Sequence, residues 1–421
     1  MTRALAIVDG EHYAPVVRDA LAELPYEVTA AWVAGGTEKL RGGEDYGVPL
    51  VGELEDGLAG VDVVVDLSDE PVLGPRERFR LASRVLAAGL PYVGADFRFD
   101  PPTLAPFELP SLGIVGTGKR VGKTALAGAV ARQLAGTRDV VVVAMGRGGP
   151  PEPELAEVAP TLESLLALSR AGRHAASDYL EDAALAQVVT VGCRRCGGGL
   201  AGATSTSNVL EGARLAAERT PDLVIFEGSG AALPPVATRK RVLVAGAGQP
   251  PEVVTGYLNT YRILISDLVV LMPAESGEPL EELRRAIHAV KDVPVVAAAL
   301  RPRPIEPIEG RRIAFFTTTP EAAHERLASH LREVYGARTV AVSGNLARRP
   351  ELRTDLGRFD ADVYVVEIKA AAIDVVAEAA SERGIPVVFA DNEVVPLEGE
   401  LDLEAEIEAL AEAALQEPVT V

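Results

Sequence analysis

One stretch of the sequence decides the fold: SLGIVGTGKRVGKTAL, which runs from Ser111 to Leu126. It opens with an apolar run typical of a buried strand and continues into a glycine-rich turn. A helix leaves this turn with Gly122-Lys123-Thr124. Strand, turn and helix follow in the order that a phosphate-binding loop requires, so a chance glycine turn before a helix is the weaker interpretation.

The residue types of this turn suit phosphate chemistry. Glycines let backbone N–H groups approach phosphate oxygens closely, and the N-terminus of a helix adds partial positive charge. We expect Lys123 to bridge the β- and γ-phosphates of ATP and the Thr124 hydroxyl to bind Mg²⁺. The predicted nucleotide-binding residues are Gly116, Thr117, Gly118, Lys119, Arg120, Val121, Gly122, Lys123 and Thr124.

The loop is one residue longer than the usual P-loop. Five residues separate Gly116 from Gly122, where the common motif has four. This longer form, G-T-x-x-x-x-G-K-T, resembles the dethiobiotin-synthetase-like branch of P-loop proteins.

Short valine-rich runs alternate with amphipathic helical segments along the chain. Continuous apolar runs of this length are typical of parallel strands covered on both faces. The alternation predicts an α/β fold, with a mostly parallel, doubly wound sheet of the P-loop NTPase type and a separate N-terminal α/β domain. The predicted strands are Leu5–Val8, Val28–Val33, Asp62–Asp66, Val140–Met145, Leu223–Phe226, Arg241–Ala245, Leu268–Met272, Val293–Ala298, Ile313–Thr317, Thr339–Val342, Val363–Val366 and Pro386–Ala390.

Two proline-rich segments, Asp100–Pro110 and Arg301–Pro307, divide the chain. We expect an N-terminal α/β domain over residues 1–108, a P-loop nucleotide-binding domain over 109–305 and a C-terminal α/β region over 306–421. The C-terminal region either forms a third domain or extends the central sheet. We expect the segment Glu398–Glu417 to form a solvated amphipathic helix, and Ala371–Arg383 to form another amphipathic helix.

Charge restricts the possible ligands. The 421 residues carry a formal net charge of −20, with 61 acidic residues against 41 Lys and Arg. Such a surface repels nucleic acid and anionic membranes, so an anionic ligand needs a locally basic pocket. Two cysteines make no disulfide scaffold, and we expect neither a signal peptide nor a membrane span. We therefore expect a cytoplasmic protein with a small-molecule substrate and no nucleic-acid or membrane partner.

A second element of the nucleotide site is predicted where the strand Leu223–Phe226 ends. Glu227 follows it and can hold Mg²⁺ directly or through water. The alternative is a carboxylate that caps the next helix, but a preceding P-loop favours the metal role. Asp222 begins the same strand and is expected at the opposite edge of the sheet.

Arginines cluster in several segments. Cys193–Gly202 combines Arg194 and Arg195 with a glycine run, which suits an anion-binding loop. The alternatives are an exposed loop with solvated arginines, or a zinc or redox Cys pair, which lacks a second Cys pair and a thioredoxin-type context. Arg147 and Arg348 follow strands, where open α/β sheets bind ligands, but each can also be a surface charge. Arg239 belongs to a further basic cluster, Thr238–Arg241.

The five histidines give weaker evidence for a binding site than the arginines do. His12 follows the first strand, in a segment that either contacts a ligand or caps the helix predicted over Pro15–Leu24. We expect the other four on helix surfaces, without metal-ligand spacing: His174, His288, His324 and His330.

Taken together, the phosphate loop Gly116–Thr124, Cys193–Gly202, Glu227–Gly230 and the opening Ile7–Tyr13 resemble the cyclic 2,3-diphosphoglycerate synthetase family. The resemblance covers most of the chain, including Val365–Asp374. It implies a cytoplasmic, homodimeric ligase that uses ATP to close 2,3-diphosphoglycerate into a cyclic phosphoanhydride and releases ADP and phosphate. The product would serve as a compatible solute.

For this reaction we assign candidate roles to the residues singled out above. Catalysis would involve Lys123, Lys119 and Glu227, and Mg²⁺ would be held by Thr124 and Glu227; Lys119 and Arg120 would face the transferred group. The substrate carries two phosphates and a carboxylate, and the residues expected to bind it are Arg147, Arg194, Arg195, Arg239, Arg348 and His12.

Two other functions stay open from the sequence. One is an ATP-dependent, carboxylate-activating ligase of the dethiobiotin type, whose less anionic substrate would need fewer arginines. The other is a non-catalytic nucleotide switch or metallochaperone, which would need metal-binding Cys/His clusters or an exposed dimer surface.

Overall fold

The computed structural model describes residues 1–40, 42–275 and 279–417. Its first six strands form a separate N-terminal sheet with the order β3-β2-β1-β4-β5-β6, in which all neighbours are parallel except β5 and β6. The strands of this sheet are β1 (Arg3–Val8), β2 (Glu27–Val33), β3 (Leu50–Val51), β4 (Val63–Asp66), β5 (Tyr92–Val93) and β6 (Arg98–Phe99).

The described residues that follow the N-terminal domain contribute 13 strands to one sheet. Its order is β11-β10-β8-β12-β7-β13-β14-β15-β19-β18-β16-β17, and β9 pairs with β10. The strands are β7 (Ser111–Gly116), β8 (Val140–Gly146), β9 (Glu154–Ala156), β10 (Val189–Cys196), β11 (Thr206–Ser207), β12 (Leu223–Glu227), β13 (Lys240–Gly246), β14 (Leu268–Met272), β15 (Val295–Pro304), β16 (Arg312–Phe316), β17 (Arg338–Ser343), β18 (Val363–Glu367) and β19 (Val387–Pro396).

Helices cover both sheets. They are α1 (Ala14–Glu23), α2 (Pro75–Ala87), α3 (Lys123–Ala135), α4 (Leu162–Arg170), α5 (Asp178–Ala186), α6 (Val209–Ala217), α7 (Pro251–Val254), α8 (Asn259–Leu264), α9 (Leu280–His288), α10 (His324–Tyr335), α11 (Arg349–Arg358), α12 (Glu378–Arg383) and α13 (Leu403–Gln416). Helix α2 packs against α8 and so joins the N-terminal domain to the central sheet. None of the helices in the described part of the chain has the length and apolar character that a bilayer span needs.

The predicted α/β class with a mostly parallel sheet is confirmed. Strand β7 lies between β12 and β13, is parallel to both and is buried along its whole length. Every predicted strand overlaps an observed one. Burial on both faces explains why these segments are continuous apolar runs rather than alternating ones.

The strands of the C-terminal region join the central sheet. Strand β19 is antiparallel to β15 and parallel to β18. Strands β16–β18 therefore run opposite to the strands around β7. Strands β15 and β19 pair through the parts that extend beyond β14 and β18, Ala298–Pro304 against Ala390–Pro396. Because of this offset, the carboxyl ends of the two sets of strands face each other.

Three local predictions were wrong. The segment Cys193–Gly202 is not a loop throughout, because Cys193–Cys196 belongs to β10. The segment Ala371–Arg383 is not a regular α-helix but a π-helical stretch, Ala372–Ala377, followed by α12. Helix α13 is not simply solvated: its buried side chains Leu403, Ile407, Ala411 and Ala414 join the core that packs on α3 and β7.

Candidate active site at the phosphate loop

The phosphate loop connects the buried strand β7 to α3 at the carboxyl edge of the central sheet. Gly122 has a φ of 95°, a left-handed conformation that favours glycine. A Cβ at Gly116 would lie 2.7 Å from Cδ of Lys123, because the stem of that lysine crosses over the glycine. Both glycines are therefore needed to bring Lys123 back over the loop.

Lys123 is positioned over the loop by its own backbone. Its side chain is buried, and Nζ donates a hydrogen bond of 2.6 Å to the carbonyl oxygen of Gly118. Burial lowers the pKa of Lys123, while Glu227 and Asp178 oppose this change. An ammonium group held this way can exchange one carbonyl partner for phosphate oxygens at little cost in side-chain order.

Glu227 ends β12 directly beside the first turn of α3. Its Oε1 accepts a hydrogen bond of 2.7 Å from the Thr124 hydroxyl. Its Oε2 is buried and receives no hydrogen bond from a backbone N–H, an amide, a cationic side chain or a hydroxyl of the described residues; the buried carboxyl of Asp182 lies beside it, and the two can share a proton. Burial raises the pKa of Glu227 to about 7, and the nearby Asp178 adds to the rise, while the Thr124 bond opposes it.

This pair of oxygens fits a divalent cation. A hydroxyl and a carboxylate with an unused oxygen are hard ligands of the kind that Mg²⁺ prefers, alongside phosphate oxygens and water. A cation would also restore the ionised form of Glu227, which burial disfavours.

Helix α5 contributes a side of the site that the sequence did not predict. Asp178 begins this helix, and Ser177 before it is buried, with a hydroxyl that has no hydrogen-bond partner among the described residues. His174 was predicted to lie on a helix surface, but it lies in the loop before α5. A serine followed by an acidic residue is a helix-start signal that could have located this turn.

These elements surround one cavity of about 310 Å³. It is lined by Lys119, Arg120, Lys123, Thr124, Arg147, Gly148, His174, Ala176, Ser177, Asp178, Glu227, Gly228, Ser229, Gly230 and Ala370. Ala370 follows β18, so both facing carboxyl edges of the sheet contribute to the cavity. A volume of this size, with four cationic side chains in its wall, suits a polyphosphate group.

A second cavity of about 510 Å³ shares Arg147 with the first one. Arg195 and the glycine run Gly197–Gly199 also line it. Arg195 donates 2.7 Å hydrogen bonds to the carbonyl oxygens of Gly197 and Ser229, so its guanidinium is fixed beside the Gly228–Gly230 turn. The two arginines thus stand next to the phosphate loop, in a position to hold a second anion.

The structure does not bring all of the predicted substrate residues together. Arg194 is exposed and lines neither cavity. Arg239 precedes β13, and its guanidinium donates to the carbonyl oxygens of Ala414 and Glu108. Because β13 is parallel to β7, Arg239 lies at the opposite edge of the sheet, and its position argues against the predicted role.

Two other predicted ligands lie outside both cavities. Arg348 is exposed in front of α11, while its neighbour Arg349 lines an adjoining cavity with His174 and Ala370. His12 belongs to the N-terminal domain, where its Nδ1 is 2.7 Å from a carboxylate oxygen of Asp9.

The two cysteines do not act together in the structure. Cys193 is buried against Gly212, and burial raises the pKa of its thiol to about 12, so it is a poor nucleophile. Cys196 is exposed at the end of β10. Among the described residues, no group of three or more His, Cys, Asp and Glu side chains is arranged to hold a metal ion.

Fold and site together define a P-loop nucleotide-binding protein. Family models place it more narrowly: the P-loop domain of cyclic 2,3-diphosphoglycerate synthetase matches residues 111–299, its N-terminal domain residues 3–100 and its C-terminal domain residues 304–393. The chain belongs to the cyclic 2,3-diphosphoglycerate synthetase family.

Curated relatives of that name match nearly the whole chain. The protein from Rubrobacter xylanophilus is 52% identical, covering 93% of this chain and 94% of its own. Those from Thermococcus kodakarensis and Methanothermus fervidus are 43% and 40% identical, covering 94% and 93% of this chain and 95% and 92% of their own.

One solved structure is only distantly similar. LpxK from Aquifex aeolicus in complex with ATP covers 74% of this chain and 90% of its own, at 14% identity and a TM-score of 0.43. This likeness is too weak to support a functional conclusion.

Proposed function

We propose that this protein catalyses the ATP-dependent conversion of 2,3-diphosphoglycerate into cyclic 2,3-diphosphoglycerate, with release of ADP and phosphate. The observation that carries the proposal is the arginine-lined cavity that opens beside the phosphate loop through the shared residue Arg147. The curated relatives favour this reaction over a carboxylate-activating ligase or a nucleotide switch.

Charge supports a strongly anionic substrate. The protein as a whole carries a formal net charge of −20, so cations gathered at one place have a local purpose. Lys119, Arg120 and Lys123 line the first cavity, and Arg147 and Arg195 line the second. Guanidinium groups suit phosphate and carboxylate oxygens because they bind both in a bidentate manner.

The chemistry needs activation by ATP. Two phosphates on adjacent carbons repel each other, and joining them with loss of water is unfavourable. Transfer of the γ-phosphoryl group of ATP to one substrate phosphate forms a phosphoanhydride and releases ADP. The other substrate phosphate then attacks the phosphorus of the activated one, forms the ring anhydride and expels the transferred group as inorganic phosphate.

The residues of the site would position and neutralise these groups. Lys123 would leave the Gly118 carbonyl for the β- and γ-phosphates, and Lys119 and Arg120 would face the transferred group. Because the second step is intramolecular, alignment of the two phosphates by Arg147 and Arg195 supplies much of the rate gain. Positive charge at the cavity wall stabilises charge on the phosphoryl oxygens in both transition states.

Thr124 and Glu227 would hold Mg²⁺, as their geometry and the unused Glu227 oxygen support. When bound, the ion neutralises charge on the β- and γ-phosphate oxygens of ATP. Of the remaining predicted substrate residues, Arg194, Arg348 and His12 are not carried into this proposal because they lie outside both cavities, and Arg239 because it lies at the far edge of the sheet.

Phosphorus NMR tests the reaction directly. The protein is incubated with ATP, Mg²⁺ and 2,3-diphosphoglycerate, and ³¹P spectra follow the nucleotide, the substrate and inorganic phosphate. We expect ADP, phosphate and a new cyclic phosphoanhydride signal to form in equal amounts. Phosphate release that does not depend on 2,3-diphosphoglycerate would contradict the proposal.

The homodimer, the cytoplasmic location and the role of the product as a compatible solute remain proposals that rest on the family resemblance. Light scattering coupled to size-exclusion chromatography tests the first of these. A mass matching a single chain of 44.2 kDa would exclude the dimer.

A further inference from the structure

Helix α5 places an unusual amount of negative charge behind the nucleotide cavity. Asp178, Glu181 and Asp182 lie in its first two turns, with Glu181 and Asp182 buried. Glu227 at the end of β12 faces the same space and influences the ionisation of Asp182. The negative charge of these carboxylates has to be compensated, by cations or by protons, before a triphosphate can bind beside them.

One of those cations comes from the facing edge of the sheet. Lys369 follows β18, and its Nζ is 3.6 Å from Oε1 of Glu181. The side chain of Glu181 is only 9% exposed and that of Lys369 33% exposed. The backbone after Lys369 turns sharply, with a φ of 48° at Ala370, and Ala370 then lines the nucleotide cavity.

The charges around Lys369 and Glu181 couple this ion pair to the nucleotide cavity. Burial alone would lower the pKa of Lys369, but Glu181, Glu367 and Asp391 together raise it above its usual value. Burial raises the pKa of Glu181 to about 8, and Lys369 is the group that opposes this rise most strongly, so removal of Lys369 would raise it further. Burial raises the pKa of Asp178, and among the groups that oppose this rise Lys369 acts most strongly, followed by Lys123, His174 and Arg147. The Lys369 charge therefore acts on the first turn of α5, which lines the cavity.

We propose that Lys369 is a positioning residue of the nucleotide site: its charge compensates the buried Glu181 carboxylate, and without that compensation the first turn of α5 behind the triphosphate is displaced. It lies in the C-terminal region, outside the phosphate loop, and does not line the cavity itself. The inference rests on the proposed function only in taking ATP as the nucleotide.

Binding of Mg·ATP to the full-length protein tests the inference. Lys369→Met removes the charge and leaves Glu181 buried without its partner, so we expect the dissociation constant for Mg·ATP to rise about tenfold in isothermal titration calorimetry. Lys369→Arg keeps the charge and should stay within twofold of the parent protein. The matched control is Lys240→Met, which breaks the ion pair with Glu417 at the opposite edge of the sheet and should leave binding unchanged.

A second substitution tests whether the unpaired Glu181 carboxylate, rather than the lost packing of the Lys369 side chain, weakens nucleotide binding. Adding Glu181→Gln to Lys369→Met removes the carboxylate that lost its partner, and we expect most of the affinity to return. A double variant that binds as weakly as Lys369→Met, or a single variant that binds normally, would overturn the proposal. If Lys369→Met does not fold, the double variant must fold and bind Mg·ATP, because the unpaired buried carboxylate is gone; failure of both would also overturn it.

The two proposals can fail separately. Mg·ATP binding is measured without 2,3-diphosphoglycerate and does not depend on that substrate. If Lys369→Met loses binding while the parent protein forms no cyclic product in the ³¹P spectrum, the role of Lys369 stands and only the substrate assignment is removed.

Discussion

In the N-terminal sheet and in the central sheet, a strand is followed by or ends at a buried carboxylate, but the two carboxylates differ in their hydrogen bonds. Asp9 follows β1 and accepts hydrogen bonds from the backbone N–H groups of Glu11, His12 and Asp69, at 2.8 to 3.0 Å, and contacts His12 Nδ1. Glu227 ends β12 and accepts one bond from the Thr124 hydroxyl, while its second oxygen faces another buried carboxyl group, Asp182. The first carboxylate is satisfied by N–H donors of its own domain, whereas the second must share a proton with Asp182 or bind a cation.

The ionisation of the two groups reflects this difference. Burial raises the pKa of Asp9, but the bonds from His12 and Asp69 outweigh it and leave the pKa lowered. At Glu227 burial is not outweighed, and the pKa rises to about 7. Sequence position alone, directly after a strand in a parallel sheet, does not distinguish a structural carboxylate from a functional one.

The largest expected effect comes from Lys123, whose charge opposes the rise in the pKa of Glu227. Lys123→Ala should lower turnover by at least about 100-fold, because the β- and γ-phosphates lose their ammonium partner. The melting temperature should stay within a few degrees of the parent value, since the hydrogen bond lost is one to a loop carbonyl. Activity by phosphate release and stability by calorimetry are measured on the same preparation; retained activity would contradict the assignment of the loop.

The comparison itself is tested by exchanging each carboxylate for its amide. Glu227→Gln should reduce activity about 100-fold without loss of stability, because a buried, poorly satisfied carboxylate is removed. Asp9→Asn should leave activity nearly unchanged but lower the free energy of unfolding by about 2 kcal/mol, because charge-assisted hydrogen bonds are lost. Chemical denaturation and steady-state assays measure both quantities, and the same pattern in both variants would break the comparison.

A smaller effect is expected at the two adjacent arginines of β10. Arg195→Ala should raise the KM for 2,3-diphosphoglycerate about tenfold, the loss of roughly 1.4 kcal/mol of binding, with a smaller change in the KM for ATP. Arg194→Ala is the matched control, because Arg194 is exposed and outside both cavities, and should change neither constant beyond twofold. Equal effects of the two substitutions on the KM for 2,3-diphosphoglycerate would contradict the assignment of Arg195 as a substrate-binding residue.

The smallest effect is the pH dependence of stability, which should have opposite signs in the two regions. Because the pKa of Asp9 is lowered on folding, its stabilising contribution is present above its unfolded pKa and is lost as the pH falls. Because the pKa of Glu227 is raised from 4.5 to about 7, its contribution is lost as the pH rises through that range.

Denaturation of the two amide variants between pH 4.5 and 7 measures this difference. Relative to the parent protein, the free energy of unfolding of Glu227→Gln should increase by about 1 to 3 kcal/mol from pH 4.5 to pH 7. At pH 7, Asp9→Asn should already be less stable than the parent protein. A flat difference for Glu227→Gln would mean that this carboxylate is ionised throughout.

Local sequence was sufficient to predict the strand, turn and helix of the phosphate loop and the position of Glu227 at the end of a strand. Glycines, the lysine and the threonine lie within one turn, and Glu227 directly follows an apolar strand. The position of Arg239 could also have been foreseen, since it precedes a parallel strand and so belongs to the amino edge. The same reasoning placed Asp222 correctly, where its carboxylate accepts a bond from the Asp139 N–H.

What the sequence did not predict depends on long-range pairing. Ser177 and Asp178 reach the cavity because α5 packs beside α3, and no local pattern specifies that neighbour. Ala370 arrives from the other end of the chain through the antiparallel pairing of β15 with β19. Residues in contact but far apart in sequence are brought together only by the whole sheet.

That antiparallel ladder, from Ala298 to Pro304 against Ala390 to Pro396, limits how the enzyme can move. Both walls of the nucleotide cavity are joined by this two-stranded ladder, so a movement of one wall against the other has to twist or bend it. The segments between strands, such as the glycine run after β10, are not held in this way and can move to admit nucleotide while the ladder keeps its hydrogen bonds.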